Sequence, residues 1–192
     1  MEFVAVDVET ANRSPASICQ IGVACFRNKL PIEIWGVLVN PEAPFLSFNT
    51  QLHGIGPQDV SGALTWPELR PKLLSLLEDR TIVSHTYFDR TALKNADMRY
   101  GLSAIPVAGW VDSCGIARQV WPHLSNHKLT SLARNLGISY QAHDAIDDAR
   151  CAGQVLLLAA HASDCDLAEM LYPLSKTLNL RQRRASIKSY IK

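Results

Sequence analysis

The chain has 192 residues, of which 47% are hydrophobic, and this is enough for one globular domain with a substantial core. Its first segment, MEFVAVDVET, carries acidic residues instead of a basic leader, and no apolar run approaches the roughly 18 residues that a membrane span needs. These features argue against a secreted or membrane protein, and we expect a soluble cytoplasmic protein with no membrane partner.

The formal net charge of +1 conceals an uneven distribution of charge. All 18 acidic residues lie at or before Glu169, whereas six basic residues follow it: Lys176, Arg181, Arg183, Arg184, Lys188 and Lys192. An acidic body can hold metal ions and a basic tail can bind a polyanion, although the tail could equally be a solvated terminus. The five cysteines show no C-x-x-C spacing, which indicates reduced thiols instead of a disulfide framework or zinc ribbon.

The first 40 residues predict three antiparallel strands. The segment FVAVDVE alternates in such a way that both of its faces begin apolar, which is typical of a central strand. Two further β-rich runs follow, ASICQIGVACFR and IEIWGVLVNP, separated by NKLP. We therefore expect a β-meander that ends at Pro41.

Helices and strands are expected to alternate in the rest of the chain. The predicted helices cover residues 66–77, 89–101, 112–121, 128–136, 144–161 and 164–174, and the predicted strands are TIVSH and AGWVD. This order predicts an α/β fold with one mixed five-stranded sheet flanked by helices. We expect a main domain over residues 1–162, followed by a short appended helix and the basic tail over residues 163–192.

Two acidic residues on the first strand suggest a metal site. Asp7 and Glu9 are two residues apart on a strand and must project from the same face, yet no lysine or arginine precedes Arg13. Burying unpaired charges costs several kcal/mol each, so a divalent cation such as Mg²⁺ or Mn²⁺ is an economical source of compensation. The alternative is an ordinary acidic surface.

Asp89 lies at a predicted junction between a strand and a helix. An aspartate there is commonly a helix N-cap, although the capping box is missing because position 92 is neither Glu nor Gln. The junction is also near the end of the sheet at which α/β folds bind ligands. Both interpretations of Asp89 stay open on this ground.

The segment HDAIDDAR, residues 143–150, concentrates acidic residues beside a histidine. Asp144, Asp147 and Asp148 occupy positions i, i+3 and i+4 on one helical face, and acidic residues in a first turn are favoured by the helix dipole. His143 lies just before that turn. All three aspartates are plausible metal ligands by spacing alone.

Together these pieces resemble the DEDDh family of 3′-5′ exonucleases. The matching segments are VAVDVET, SHTYFD and HDAIDDA, with LHGIG at residues 52–56 as a fourth, in the order of the family and spread over most of the chain. Within the family the likeness is greatest to the proofreading epsilon subunit of bacterial DNA polymerase III and its stand-alone relatives. The resemblance implies an RNase H-like fold over residues 1–162.

The resemblance also implies the roles of individual residues. It implies that two divalent cations, Mg or Mn, are held by Asp7, Glu9, Asp89 and Asp148. His143 would be the general base, whereas Asp144 and Asp147 would serve capping and solvation. The implied reaction is hydrolysis from the 3′ end of DNA with release of 5′-mononucleotides.

Contacts to the terminal nucleotide are implied in the same way. The implied substrate-binding residues are Thr10, Ala11, His53, Gly54, Ile55 and Phe88. Two departures from the family pattern concern this region, because Ala11-Asn12 stands where the family often has Thr-Gly or Ser-Gly, and the segment after His85 lacks the frequent Asn and is one residue shorter before the aspartate. These departures favour a stand-alone nuclease over the polymerase proofreading branch.

Other functions are kept as alternatives. The chain could be a 3′-5′ exoribonuclease, a catalytically silent module that binds nucleic acid through its basic tail, or a phosphodiesterase that acts on small nucleotides. We expect single-stranded or 3′-end nucleic acid as the partner, with DNA favoured over RNA, and a homodimer would not be unusual among related nucleases. His123 and His127 have an H-x-x-x-H spacing, but no cysteine or carboxylate pair accompanies them, which argues against zinc.

Overall fold

A computed structural model describes residues 2–171 as a mixed sheet covered by helices on both faces. The sheet has the strand order β3-β2-β1-β4-β5. Its strands are β1 (Glu2–Thr10), β2 (Ile18–Arg27), β3 (Leu30–Leu38), β4 (Thr81–Ser84) and β5 (Gly109–Asp112). The first three strands are antiparallel, and β4 and β5 run parallel to β1, so the predicted mixed five-stranded sheet is confirmed.

Seven helices are present in the described part of the chain. They are α1 (Ser47–His53), α2 (Trp66–Leu77), α3 (Phe88–Arg99), α4 (Ser113–Val120), α5 (Leu129–Leu136), α6 (Ala145–Ala162) and α7 (Leu167–Leu171). Every one except α1 is predicted from the sequence. Helix α1 escapes prediction because the segment SFNTQLH buries none of its residues and so lacks a core-facing apolar stripe.

The C-terminal predictions are tested only in part. Helix α7 buries Leu167, Met170 and Leu171 against the same core that α6 covers. The end of the predicted helix over 164–174 and the basic tail both lie outside the described residues, so the division at residue 162 stays a prediction. Over residues 2–171, no helix is both long and apolar enough to cross a membrane.

The two faces of the sheet bury alternate residues of β1. Val4, Val6 and Val8 pack in a cluster with α2 and α3, whereas Phe3 and Ala5 pack in a cluster with α6. Side chains of a strand alternate between its two faces, so the row that begins with Phe3 and Ala5 continues with Asp7 and Glu9. The two carboxylates therefore project on the face of the sheet that α6 covers.

A glycine lets α6 approach that face closely. Gly22 of β2 is the register partner of Asp7, and a Cβ atom built on Gly22 would lie 2.0 Å from the carbonyl oxygen of Ala145. Real Cβ atoms are never found so near a backbone oxygen, so only glycine fits without a shift of the helix. The first turn of α6 is thereby placed beside Asp7.

Candidate active site

Four carboxylates converge at the end of β1. Asp7 and Glu9 come from β1, Asp89 from the first turn of α3 and Asp148 from the first turn of α6. Asp89 is not a helix N-cap, because α3 begins at Phe88 and the cap position is Tyr87. The capping alternative for Asp89 is therefore wrong.

Asp89 is held by the backbone of β1. Strand β1 is paired with β4 at Val4 and Ala5, and Val8 lies beyond these pairs. The backbone N–H of Val8 then donates to Asp89 Oδ1 over 3.1 Å, in place of a strand partner. This hydrogen bond fixes Asp89 next to the residues that flank Val8, Asp7 and Glu9.

Asp148 is held by the loop that precedes α6. The backbone N–H of His143 donates to Asp148 Oδ2 over 2.9 Å, and the hydroxyl of Tyr140 donates to Asp148 Oδ1. His143 adopts a left-handed backbone conformation with φ of +64°, which is uncommon for a residue other than glycine. The loop thus turns back on the helix and leaves the His143 side chain exposed beside the carboxylates.

The other two aspartates of this segment have separate partners. Asp144 is the N-cap of α6 and accepts from the N–H of Ile146 over 3.0 Å, so its predicted capping role is confirmed. Asp147 forms an ion pair of 2.6 Å with Arg150 and accepts from the N–H of Gln141 over 2.6 Å. Of the three aspartates, only Asp148 lines the cavity that Asp7, Glu9 and Asp89 also line.

The residues present fit divalent cations. One ligand atom each from Glu9, His143 and Asp148 lies within 4.8 Å of the others. Glu9, Asp89 and Asp148 are only 9%, 4% and 6% exposed, and Asp7 is half-buried. In the part of the chain that the structure describes, no lysine or arginine forms an ion pair with any of these four carboxylates. Clustered carboxylate oxygens without a cationic partner are the ligands that Mg²⁺ and Mn²⁺ prefer.

Burial and mutual repulsion raise the pKa values of these groups. Burial, with the nearby Asp89, Asp148 and Glu9, raises the pKa of Asp7 well above its ordinary value. Burial is also the main cause that raises the pKa of Glu9 to about 8 and that of Asp89 to about 7. The pKa of Asp148 is raised by burial too, against the opposing effect of its hydrogen bonds from Tyr140 and His143. Without a cation, the site therefore favours protonated carboxyl groups.

A cavity of about 540 Å³ opens over the carboxylates and His143, and we call it the catalytic cavity. Its lining includes four residues that the sequence did not suggest as site residues: Leu52, His85, Lys128 and Tyr140. Lys128 is exposed at the start of α5 and places a positive charge at the cavity. Sequence offers no local signal for Lys128 or Tyr140, because only the fold brings α5 and the loop before α6 to this place.

His85 has a structural position at the cavity wall. Its Nδ1 lies 3.1 Å from Ser113 Oγ, and its Nε2 lies 2.8 Å from the carbonyl oxygen of His127. Burial lowers the pKa of His85, so the ring is neutral and can donate from Nε2 to that carbonyl. The bond to His127 anchors the loop that carries the neighbouring Lys128. His127 itself lies 2.9 Å through Nε2 from the carbonyl oxygen of Trp121.

The six predicted substrate-binding residues differ in their access to solvent. Phe88 is exposed and lines the catalytic cavity, whereas the Ala11 side chain is completely buried and could offer only its backbone to a ligand. Thr10 and Ile55 are also buried. Gly54 ends α1 with φ of +79°, a conformation that glycine adopts without strain.

His53 connects α1 to the end of β1. Its Nδ1 accepts from the N–H of Ile55 over 3.1 Å, so the proton lies on Nε2, which faces the carbonyl oxygen of Thr10 at 3.2 Å. Burial lowers the pKa of His53, in agreement with this neutral form. In this structure His53 positions the segment after Glu9, and a direct contact with substrate stays a prediction.

Comparison with known proteins places this geometry in a family. Residues 4–156 match the RNase_T exonuclease family. The chain is 29% identical over 160 residues to DNA polymerase III PolC-type of Caldanaerobacter subterraneus subsp. tengcongensis, covering 81% of this chain and 11% of that protein. It is also 29% identical over 181 residues to 3′-5′ exonuclease DinG of Bacillus subtilis, covering 92% of this chain and 19% of that protein. The chain thus spans less than a fifth of the curated relatives that it matches.

A solved structure agrees with the fold. The nuclease domain of 3′hExo, described as a DEDDh family member bound to rAMP, superposes with a TM-score of 0.69 at 18% identity, covering 86% of this chain and 92% of that one. This likeness confirms the RNase H-like architecture. The preference for a stand-alone nuclease over the proofreading branch stays a prediction. With the family match over residues 4–156 and the four carboxylates and histidine in one cavity, the chain belongs to the exonuclease family and is of the DEDDh type.

Proposed function

We propose that this protein is a metal-dependent 3′-5′ exonuclease that hydrolyses the terminal phosphodiester bond of DNA and releases 5′-mononucleotides. The observation that carries the proposal is the convergence of four carboxylates and an exposed histidine in one open cavity. The carboxylates have no cationic partner among the described residues, so the site fits metal ions better than a structural role. Family membership supports the reaction class.

Asp7, Glu9, Asp89 and Asp148 would hold two divalent cations, Mg²⁺ or Mn²⁺. Such a pair stabilises both the attacking and the leaving oxygen of an in-line displacement at phosphorus. Four carboxylates would balance the charge of two dications, which would offset both the burial and the mutual repulsion that raise their pKa values. The hydrogen bond from the N–H of Val8 orients Asp89, and those from Tyr140 and His143 orient Asp148.

His143 is the proposed general base. Its side chain is exposed at the cavity, and one ring nitrogen lies within 4.8 Å of a carboxylate oxygen of Glu9 and of Asp148. A neutral imidazole can accept the proton of the attacking water. Lys128 at the same cavity would attract the phosphate backbone of the substrate.

DNA is the proposed substrate because the relatives with the most similar sequences include DNA polymerase III of the PolC type. An exoribonuclease is the second candidate, since the structural neighbour 3′hExo is described with bound rAMP. Proteins distinguish RNA from DNA through contacts to the 2′-hydroxyl. We also propose a cytoplasmic location, in line with the buried, reduced thiols of Cys19, Cys25, Cys114 and Cys151.

The test follows 5′-labelled single-stranded DNA and RNA of matched sequence over time, each with Mg²⁺, with Mn²⁺ and with chelator. We expect a metal-dependent ladder that shortens from the 3′ end, faster on DNA, and a mononucleotide product by chromatography. Faster shortening of RNA would replace DNA by RNA in the proposal. If both strands stay intact in either metal, the protein is a binding module or acts on small nucleotides.

A further inference from the structure

A second cavity of about 580 Å³ lies beside the catalytic cavity, and we call it the aromatic groove. Its lining includes Thr10, Arg13, Leu46, Phe48, Asn49 and Phe88. Phe88 lines both cavities, and Thr10 directly follows the metal-ligand candidate Glu9. The aromatic groove is therefore continuous with the place where a terminal nucleotide would react.

Helix α1 forms one wall of the aromatic groove and contributes no buried residue to the hydrophobic core. None of its residues is buried, yet it carries Phe48, which is 72% exposed, and Leu52, which is 45% exposed. Residues at positions i and i+4 lie on one helical face, with Leu52 at the catalytic cavity and Phe48 one turn away in the aromatic groove. A contiguous apolar face that is left exposed marks a binding surface more often than a stable exterior.

This wall is attached firmly to the catalytic strand. The N–H of Leu46 donates to the carbonyl oxygen of Ala11 over 2.9 Å, and Asn49 Nδ2 donates to the carbonyl oxygen of Thr10 over 2.8 Å. The Nε2 of His53 faces the same Thr10 oxygen at 3.2 Å. The distance from the aromatic groove to the carboxylates is thus fixed before any ligand binds, which lowers the entropic cost of binding.

The charge of the aromatic groove suits a polyanion. Arg13 is its only charged lining residue, is exposed, and forms no ion pair with any residue from 2 to 171. The neighbouring Asn12 stiffens the loop, because its Nδ2 donates to the carbonyl oxygen of Pro44 over 2.7 Å and its Oδ1 accepts from the N–H of Ser14 over 2.9 Å. An aromatic face next to an exposed cation is an arrangement that can stack a base of a single-stranded nucleic acid and bind its phosphate.

We propose that the aromatic groove binds the nucleotides on the 5′ side of the scissile bond, with a base stacked on Phe48 and a phosphate at Arg13. This inference rests on the proposed nuclease function and adds the substrate class to it. A stacking wall needs an unpaired base, so the preferred substrate is a single-stranded 3′ end longer than a dinucleotide. The aromatic groove should bind without sequence preference, because every base has a π face that can stack.

Binding is measured by the fluorescence anisotropy of a 5′-labelled single-stranded nonamer with phosphorothioate linkages, in Mg²⁺. We expect Phe48→Ala to raise Kd on the order of 10-fold, since it removes one stacked base. Arg13→Ala should lower the slope of log Kd against log salt by ~0.7, the value for one phosphate of a single strand, whereas Phe48→Ala should keep the slope. Both side chains are exposed, so neither change removes a core contact.

The matched controls are Leu30→Ala on β3 and Arg134→Ala on α5, an exposed apolar and an exposed basic residue that line neither cavity. Both should bind as the wild type does. Wild-type Kd in Phe48→Ala, together with an unchanged salt slope in Arg13→Ala, would overturn the assignment of the aromatic groove.

Cleavage of strands of different length separates this inference from the proposed function. We expect the ratio of kcat/KM on a nonamer to kcat/KM on a dinucleotide to fall on the order of 10-fold in Phe48→Ala. If the wild type cleaves no strand while both variants still weaken binding, the nuclease proposal fails and the aromatic groove remains. If the wild type cleaves and the variants match it in every measurement, the aromatic groove alone is wrong.

Discussion

The two halves of β1 use the same face of the sheet for opposite purposes. Phe3 is 2% exposed and its ring stacks on Phe26 with centroids 4.7 Å apart, whereas Asp7 and Glu9 occupy the same row two and three steps further along. Apolar burial in the first half stabilises the fold. Carboxylate burial in the second half opposes it, because charged groups lose their hydration without gaining a cationic partner. The strand thus shows that a core can support a neighbouring site that is unfavourable by itself.

The largest effect on activity is expected from the removal of a carboxylate at the site beside the second half of β1. Asp148→Ala should reduce cleavage of single-stranded DNA below detection, because it deletes a proposed metal ligand. Asp144→Ala is the matched control and should keep most of the activity while losing about 1 kcal/mol of stability, as expected for a lost N-cap. Initial rates and thermal unfolding of both variants provide the measurement. The reverse ranking of rates would show that the wrong aspartate is assigned to the metal.

The next largest effect concerns the proposed base. His143→Ala should lower kcat on the order of 10²–10⁴-fold, while Mg²⁺ still raises the unfolding temperature, because the four carboxylates remain. His161, exposed in the last turn of α6, gives the matched control His161→Ala with wild-type kcat. An unchanged kcat in His143→Ala would remove His143 from the mechanism.

Each half of the sheet face that α6 covers depends on one closely packed glycine. A Cβ on Gly22 would lie 2.0 Å from the Ala145 carbonyl oxygen, and a Cβ on Gly153 would lie 2.3 Å from the Phe26 ring. Each change to alanine should cost about 1–3 kcal/mol of stability by overpacking. Gly22→Ala should also lower kcat/KM, because it displaces the turn that carries Asp148. Equal specific activities of the folded Gly22→Ala and Gly153→Ala variants would contradict the assignment of Gly22 to the carboxylate half of the face and Gly153 to its apolar half.

The smallest expected effect is a pH dependence of the metal-free protein. Glu9 ionises near its ordinary 4.5 in the unfolded chain but at about 8 in the fold, so the folded state binds more protons and loses stability as pH rises between these values. Asp89, with a pKa of about 7, acts in the same direction. Unfolding temperatures in chelator should therefore fall from pH 5 to pH 8, and Mg²⁺ should reduce the fall. In chelator, the unfolding temperature of Glu9→Gln should fall less between pH 5 and pH 8 than that of the wild type. An equal fall in both proteins would contradict the raised pKa of Glu9.

The sequence by itself determined the sheet and, over residues 2–171, six of the seven helices, and it predicted the residues of the candidate site. Strand alternation places Asp7 and Glu9 on one face because backbone geometry alone dictates it. Motif order then identified the family, since the residues that define it lie in short segments. Local sequence patterns were enough to predict the features that depend only on residues close together in the chain, such as strands, helices and short motifs.

Tertiary structure decided what depends on distant residues. It gave Asp89 the N–H of Val8 and brought Tyr140 to Asp148. It also brought Lys128 to the catalytic cavity, although nothing in its own segment indicates a site. Contacts between segments far apart in sequence are set by packing, such as the close approach that Gly22 permits, and no local pattern records them.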